Sequence, residues 1–214
     1  MSSEAALAAA ERGLVAVATR LVEATVVDDR LHADGDPLTP TALDRVASAA
    51  VGEDATVTVE TRADVLRPDD PVVVAVDPAG AAPLARTFVV DGTGGWTRRA
   101  AVAVGMAHDA VRRVVEPGVP ARRVVDEAVA ELGAYGLAAA DGPVAHGIGT
   151  AVDFSGDAPL DAGTRFALDP VARDQDPDAD RGHVRIGGWY VVTDDGCRAS
   201  SDLPTSLSPD AYSG

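Results

Sequence analysis

The sequence of 214 residues contains no lysine, a single cysteine and few aromatic residues. With Cys197 alone, no disulfide can form within the chain and no zinc site can be built from cysteines. Because aromatic residues make up 4% of the chain and hydrophobic residues 46%, the core must consist largely of alanine, valine and leucine. No uncharged apolar run is long enough to cross a bilayer, and the first residues lack the basic region of a signal peptide. These absences predict a cytoplasmic protein with no membrane partner.

The charge of the chain is strongly one-sided. The formal net charge is −16, all eighteen basic residues are arginine, and aspartate far outnumbers glutamate. Such a surface repels the phosphates of nucleic acid, so we expect no nucleic-acid partner, although basic protein partners stay open. Because salt screens self-repulsion, the composition predicts a protein of the haloarchaeal type that folds in molar salt.

Hydrophobic periodicity predicts a chain of mixed helices and strands. We expect one domain over residues 1–207 and a flexible tail over residues 208–214, since this length suffices for a single core. Helices are expected at 3–27, 39–50, 97–115 and 120–135, strands at 55–61, 72–77 and 86–91, and a loop at 28–36. The acidic stretch 174–180 is either a solvated loop or, with its alternating acids, a calcium site.

Three segments in the last third carry polar residues among glycines and strand-forming residues. They are AHGIG at 145–149, RFALDP at 165–170 and GHVRIGGWYVVTDDGC at 182–197, and an earlier strand ends in VDPAG at 76–80. In order and spacing these segments resemble the pita-bread family, which includes methionine aminopeptidase, Xaa-Pro aminopeptidase and dipeptidase, and creatinase. The resemblance implies an α+β fold in which helices cover a curved antiparallel sheet with a pseudo-two-fold axis.

The resemblance also implies which residues stand at the metal site of the family. That site uses two aspartates, one histidine and two glutamates to hold two metal ions, which activate a bridging water. Asp77 and His146 match two of these positions, and Asp169 replaces a glutamate with a shorter acid. Pro83 and Gly187 stand at the other two positions and offer no side-chain ligand. The resemblance therefore implies at most one divalent metal, manganese, cobalt or zinc, held by Asp77, His146 and Asp169.

A second group of residues is expected to line a ligand pocket. Asp153 stands where members that cleave Xaa-Pro bonds carry another histidine, and Arg185 is expected to pair with Asp169 or Asp77 in place of the lost cation. The expected pocket residues are Gly147, Gly149, Asp153, Arg185 and Gly187.

Structural roles stay open for several of these candidates. In a structural role, Asp77 would be an acid at the end of a strand that hydrogen-bonds a turn amide. His146 would be a histidine that only makes structural hydrogen bonds. Gly147 and Gly149 are then glycines needed for backbone shape. Cys197 is expected to be a structural thiol rather than a nucleophile.

Three functions follow from this pattern. The leading hypothesis is a protein without catalytic activity or cofactor that binds a peptide or protein. The alternative is a single-metal aminopeptidase-like or dipeptidase-like hydrolase acting on peptide N-termini. A metal-free, creatinase-like amidinohydrolase would need a second histidine in the cavity, from among His32, His108 and His183. Because family members are often dimers, the resemblance also implies a homodimer.

Overall fold

The computed structural model describes residues 2–179 and 181–213, so Met1, Asp180 and Gly214 lie outside the described residues. Its first half places two helices, α1 (Ser3–Val22) and α2 (Pro40–Val51), against a three-stranded antiparallel sheet. The strands of that sheet are β4 (Ala55–Glu60), β5 (Val72–Pro78) and β6 (Leu84–Phe88). Ser2 and Thr39 cap the two helices through their side-chain oxygens.

A small hairpin sheet follows α1, where a longer helix and then a loop were expected. It contains β1 (Thr25–Val27), β2 (Arg30–Ala33) and β3 (Asp36–Pro37). The expectation was wrong because the β-branched run 25–27 favours a strand, and Asp28 and Asp29 turn the chain with φ angles of 48° and 60°.

The second half repeats the arrangement of a helix pair on antiparallel strands. The two helices, α3 (Gly95–Val114) and α4 (Arg122–Ala134), lie within one or two residues of the predicted limits at all four ends. One sheet has the strand order β11-β10-β7, and the other has the order β13-β12-β9-β8. These strands are β7 (Leu137–Ala139), β8 (Ala145–Gly147), β9 (Arg165–Leu168), β10 (Val171–Asp174), β11 (His183–Arg185), β12 (Gly188–Thr193) and β13 (Gly196–Ala199).

Hydrogen bonds join the two halves at the point where β6 runs beside β11. The Gly187 amide donates to the Ala85 carbonyl at 2.9 Å, and the Thr87 hydroxyl donates to the Arg185 carbonyl at 2.9 Å. This junction places residue 169 and residues 185–187 next to the strand that leads from Pro83, so it positions the candidate site.

The C-terminal tail is packed over part of the range that was expected to be flexible. Residues Pro209–Tyr212 form a turn of 3-10 helix, and the Tyr212 ring lies edge-on to Phe88 with centroids 5.1 Å apart. The Tyr212 hydroxyl donates to the Ser206 carbonyl. An aromatic side chain that covers an apolar core residue holds this segment in place. Among the described residues, no helix has the length and apolar character needed to span a membrane.

Candidate functional site

A buried ion pair between Asp169 and Arg185 lies at the centre of the candidate site. Asp169 follows β9 and is 3% exposed. Arg185 Nε lies 3.0 Å from Asp169 Oδ1 and 3.1 Å from Oδ2, and the second guanidinium contact, Nη2 to Oδ2, is 2.6 Å. Burial opposes the charge of Arg185, but hydrogen bonds and the charge of Asp169 leave its pKa raised above the ordinary value. The structure therefore confirms the expected pairing of Arg185, with Asp169 as its partner.

Gly187 lies against the same carboxylate. A Cβ atom built at Gly187 would lie 3.2 Å from Asp169 Oδ1 and 3.0 Å from the Ala85 amide nitrogen. Residue 187 therefore faces Asp169, as the resemblance implies for a metal-binding glutamate, but it contributes only backbone. Its carbonyl accepts from Arg86 Nη1 at 2.5 Å.

Pro83 has an aromatic neighbour. The Trp189 indole N–H donates to the Pro83 carbonyl at 3.1 Å, and Trp189 is 3% exposed. The position that the resemblance assigns to the second aspartate therefore offers a backbone carbonyl that is already bonded to a buried tryptophan.

Asp77 and His146 lie on strands of two different sheets, and neither side chain has an internal partner among the described residues. Asp77 is exposed near the end of β5, and its charge contributes to the raised pKa of Arg185. His146 is half-buried on β8, opposite Ala167 of β9. Within residues 2–179 and 181–213, neither side chain makes a hydrogen bond or ion pair, so the expected bond from Asp77 to a turn amide is absent.

The candidate ligands do not fit the metal site of the family. Arg185 already engages both oxygens of Asp169, and Pro83 and Gly187 supply no side-chain donor. In the part of the chain that the structure describes, no group of three or more His, Cys, Asp or Glu side chains could hold a metal ion. Asp77, His146 and Asp169 are therefore not assembled as a ligand set.

Two of the predicted pocket glycines have backbone roles. A Cβ atom at Gly147 would lie 2.3 Å from the Thr150 carbonyl oxygen, and Gly149 has a φ of 69°. Asp153 is exposed and accepts from the Ser155 hydroxyl at 2.6 Å and amide at 2.9 Å, which lower its pKa. These contacts support the structural interpretation of both glycines and make Asp153 part of its own turn.

His108 is the histidine that the fold buries most completely. Its Nε2 donates to the Ile186 carbonyl at 2.7 Å, which leaves Nδ1 to accept from the Tyr190 hydroxyl at 2.7 Å. Burial lowers its pKa to about 4. His183 lies 3.7 Å from Glu60 Oε2, and His32 belongs to the hairpin strand β2. Both ring nitrogens of His108 are thus already engaged, which does not favour the creatinase-like hypothesis.

Cys197 and the acidic stretch behave as structural features. Burial raises the pKa of the Cys197 thiol to about 11, as expected for a half-buried structural residue. Asp174 accepts from the Asp176 amide at 3.1 Å and pairs with Arg181 at 3.1 Å. Asp180 lies outside the described residues. The loop is thus held by its own hydrogen bonds, which favours the solvated-loop interpretation.

Comparison with known proteins connects this geometry to a family. The family model described as Metallopeptidase family M24 matches residues 2–194. The chain belongs to metallopeptidase family M24. An X-Pro aminopeptidase from Thermotoga maritima MSB8 is similar with a TM-score of 0.71 and 16% identity, over 94% of this chain and 60% of that one. An Xaa-Pro dipeptidase from Bacillus anthracis has a TM-score of 0.72 and 15% identity, over 97% of this chain and 63% of that one. Dipeptidase PepE from Mycobacterium ulcerans has a TM-score of 0.69 and 22% identity, over 96% of this chain and 60% of that one.

These similarities confirm the predicted pita-bread fold. The M24 chain spans about 60% of the length of the solved structures that it resembles. A comparison with curated protein sequences finds no match. At these identities the solved structures establish the fold, and the activity has to be argued from the site.

Proposed function

We propose that this M24 protein binds a peptide or protein segment and does not use the two-metal hydrolysis of its family. The observation that carries the proposal is the buried pair of Asp169 and Arg185. A carboxylate removed from water requires a counter-charge, and in this chain a guanidinium supplies it. A metal at Asp169 would have to displace the Arg185 guanidinium and its three hydrogen bonds to the carboxylate.

The neighbouring positions make such an exchange unfavourable. Two metals need bridging carboxylates, but Pro83 has no donor side chain, and Gly187 has none either and would bring a Cβ atom within 3.0 Å of the Ala85 amide nitrogen. The proposed function therefore includes no cofactor.

Two polar side chains outside the pair are available to a ligand. Asp77 is exposed and His146 half-buried, and neither has an internal partner among the described residues. A carboxylate and an imidazole can hydrogen-bond the amides and amines of a peptide. Peptides and basic protein segments are the partners that this chemistry and the acidic surface favour, and a homodimer remains a prediction from the family.

The unengaged donor atoms of Asp77 and His146 also support the alternative function. If Arg185 released Asp169, the three residues would be the ligands for one manganese, cobalt or zinc ion. That protein would be an aminopeptidase-like or dipeptidase-like hydrolase acting on peptide N-termini.

Metal stoichiometry separates the two functions. The protein, purified in high salt without chelator, is offered manganese, cobalt and zinc, passed through gel filtration and analysed by mass spectrometry of the elements. The proposal predicts no tightly bound metal in the unmodified protein. About one equivalent per chain, lost in His146→Ala and retained in His32→Ala, would refute the proposal and support the single-metal hydrolase.

Arg185→Met provides a second arm of this experiment. The change removes the internal cation and leaves the Asp169 carboxylate. If metal binds to Arg185→Met but not to the unmodified protein, Arg185 is the group that excludes it. If neither Arg185→Met nor the unmodified protein binds metal, the missing donors at Pro83 and Gly187 suffice to prevent binding.

A further inference from the structure

Two cavities lie along α3, and the second of them is also lined by Gly187 of the candidate site. One, of about 570 Å³, lies between the first half of α3 and residues 205–210. The other, of about 370 Å³, lies between the second half of α3, β12 and residues 199–205. Val102 and Thr205 line both cavities, so the two adjoin each other between α3 and the C-terminal segment 199–210. We call the two cavities together the α3 groove.

The length of the α3 groove suits a short peptide. Its helical wall runs from Thr97 to Arg112, and at about 1.5 Å per residue this distance is roughly 22 Å. An extended chain rises about 3.3 Å per residue, so the groove matches a segment of about six or seven residues.

The middle of the α3 groove is apolar and open. Val102 is 48% exposed, and Gly105 and Met106 follow it on the same wall, with Leu203 on the opposite side. A Cβ atom at Gly105 would meet no atom within 4 Å, so no internal contact requires glycine there. Glycine lowers the stability of a helix interior relative to alanine. No side chain of the described residues therefore fills the space beside Gly105.

The two ends of the α3 groove carry opposite charge. Three acids line the first cavity, Asp69, Asp91 and Asp210. Arg98 is the one basic residue in the lining of that cavity. The second cavity is lined by Arg86 and Arg112, with Asp109 the acid among its lining residues. Arg112 Nη1 lies 3.6 Å from Asp109 Oδ1, so the excess positive charge of this end is that of Arg86, in a chain whose net charge is −16.

Arg86 is the group that most strengthens the positive end. It is 2% exposed, and no described carboxylate forms an ion pair with it. Its guanidinium lies near the Tyr212 hydroxyl and donates to backbone carbonyls, those of Ala85, Gly187, Leu203 and Pro204. Neutral acceptors satisfy its hydrogen bonds without compensating its charge, so a nearby anionic group would be favoured.

We propose that the α3 groove binds an extended peptide segment with a basic N-terminal end, apolar side chains and a free C-terminal carboxylate. The basic end lies beside Asp69, Asp91 and Asp210, and the apolar side chains pack on Val102 and Met106. The carboxylate lies towards Arg112 and the charge of Arg86. This inference does not depend on the Asp169–Arg185 pair, because neither Asp169 nor Arg185 lines the α3 groove, although Gly187 lines its second cavity.

The test uses a heptapeptide with lysine at its N-terminal end, alternating alanine and leucine after it, and a free C-terminal carboxylate. Calorimetric titration compares this peptide with its C-terminal amide at constant high salt. We expect the free acid to bind roughly tenfold more tightly, because the amide loses its charge-assisted contact with the positive end. Unspecific attraction to a protein of net charge −16 would give the opposite order, since the amide carries more positive charge.

Two pairs of variants locate the peptide on the surface. Gly105→Leu fills the middle of the α3 groove, while Gly133→Leu adds the same side chain to α4, where a Cβ atom also meets nothing within 4 Å. Both changes should leave the fold intact, as circular dichroism will check. We expect Gly105→Leu to reduce affinity at least about tenfold and Gly133→Leu to leave it unchanged.

The charge pair uses neighbouring arginines of α3. Arg112→Gln removes a groove cation that lies 3.6 Å from Asp109, and Arg113→Gln removes a cation outside the groove that lies 3.8 Å from Glu131 of α4. We expect only Arg112→Gln to weaken the free acid and to reduce its advantage over the amide.

The outcomes decide the proposal. Absence of saturable binding by the free acid, or equal binding by Gly105→Leu and the unmodified protein, would overturn it. Binding that is lost in Arg185→Met and kept in Gly105→Leu would also overturn it, and would place the peptide at the Asp169–Arg185 site instead.

Discussion

Replacing Arg185 by methionine is the most direct perturbation of the candidate site. It leaves Asp169, which is 3% exposed, with a buried charge and three lost hydrogen bonds. Removing one partner of a buried ion pair costs about 3–5 kcal/mol. Because the Arg185 side chain is itself 20% exposed, we expect the lower end, about 3 kcal/mol. For a chain of this size the melting temperature should fall by roughly 6–12 °C.

The assay is urea unfolding followed by circular dichroism at constant high salt, with the midpoint and slope compared among variants. Adding Asp169→Leu to Arg185→Met removes the stranded carboxylate, so the double variant should regain most of the lost stability. Arg122→Met is the control, because it removes an exposed arginine paired with Asp126 and Asp157 and should change stability little. If Arg185→Met unfolded at the same urea concentration as this control, the pair would not stabilise the site as argued.

Three further predictions concern titration, reactivity and salt. Burial holds the pKa of His108 at about 4, below its ordinary value of 6.5, so the unfolded chain binds a proton that the folded chain does not. Stability should therefore fall as the pH falls from about 6.5 to about 4, by about 3 kcal/mol more than in His108→Gln, and equal pH profiles would contradict this. Because the pKa of Cys197 is raised to about 11, iodoacetamide at pH 8 should label it slowly in the folded protein and rapidly in urea; equal rates would show that the thiol is not protected. With a net charge of −16, the protein should lose its near-ultraviolet dichroism on dialysis into dilute buffer, and unchanged spectra would refute the predicted adaptation to molar salt.

Patterns that repeat along the chain predicted most of the regular structure. Helices α2, α3 and α4 and strands β4 and β5 lie close to their predicted limits, because burial of one side of an element forces apolar residues to recur at its own period. The prediction failed where a short-range preference decides, because the β-branched run after α1 forms a hairpin strand and does not continue the helix.

The sequence by itself determined the family, the charge of the surface and the residue types at each family position, because these depend on neighbouring residues and on composition. It left open whether Arg185 pairs with Asp169 or with Asp77. That choice depends on the antiparallel register that sets Val171 opposite Arg185 and on the junction of β6 with β11. The burial of Arg86 and His108 and the α3 groove were likewise decided by tertiary structure. The long-range hydrogen bonds of Arg86 and His108 join residues that are 78 to 118 positions apart, and only the packed strands and helices bring such groups within hydrogen-bonding distance.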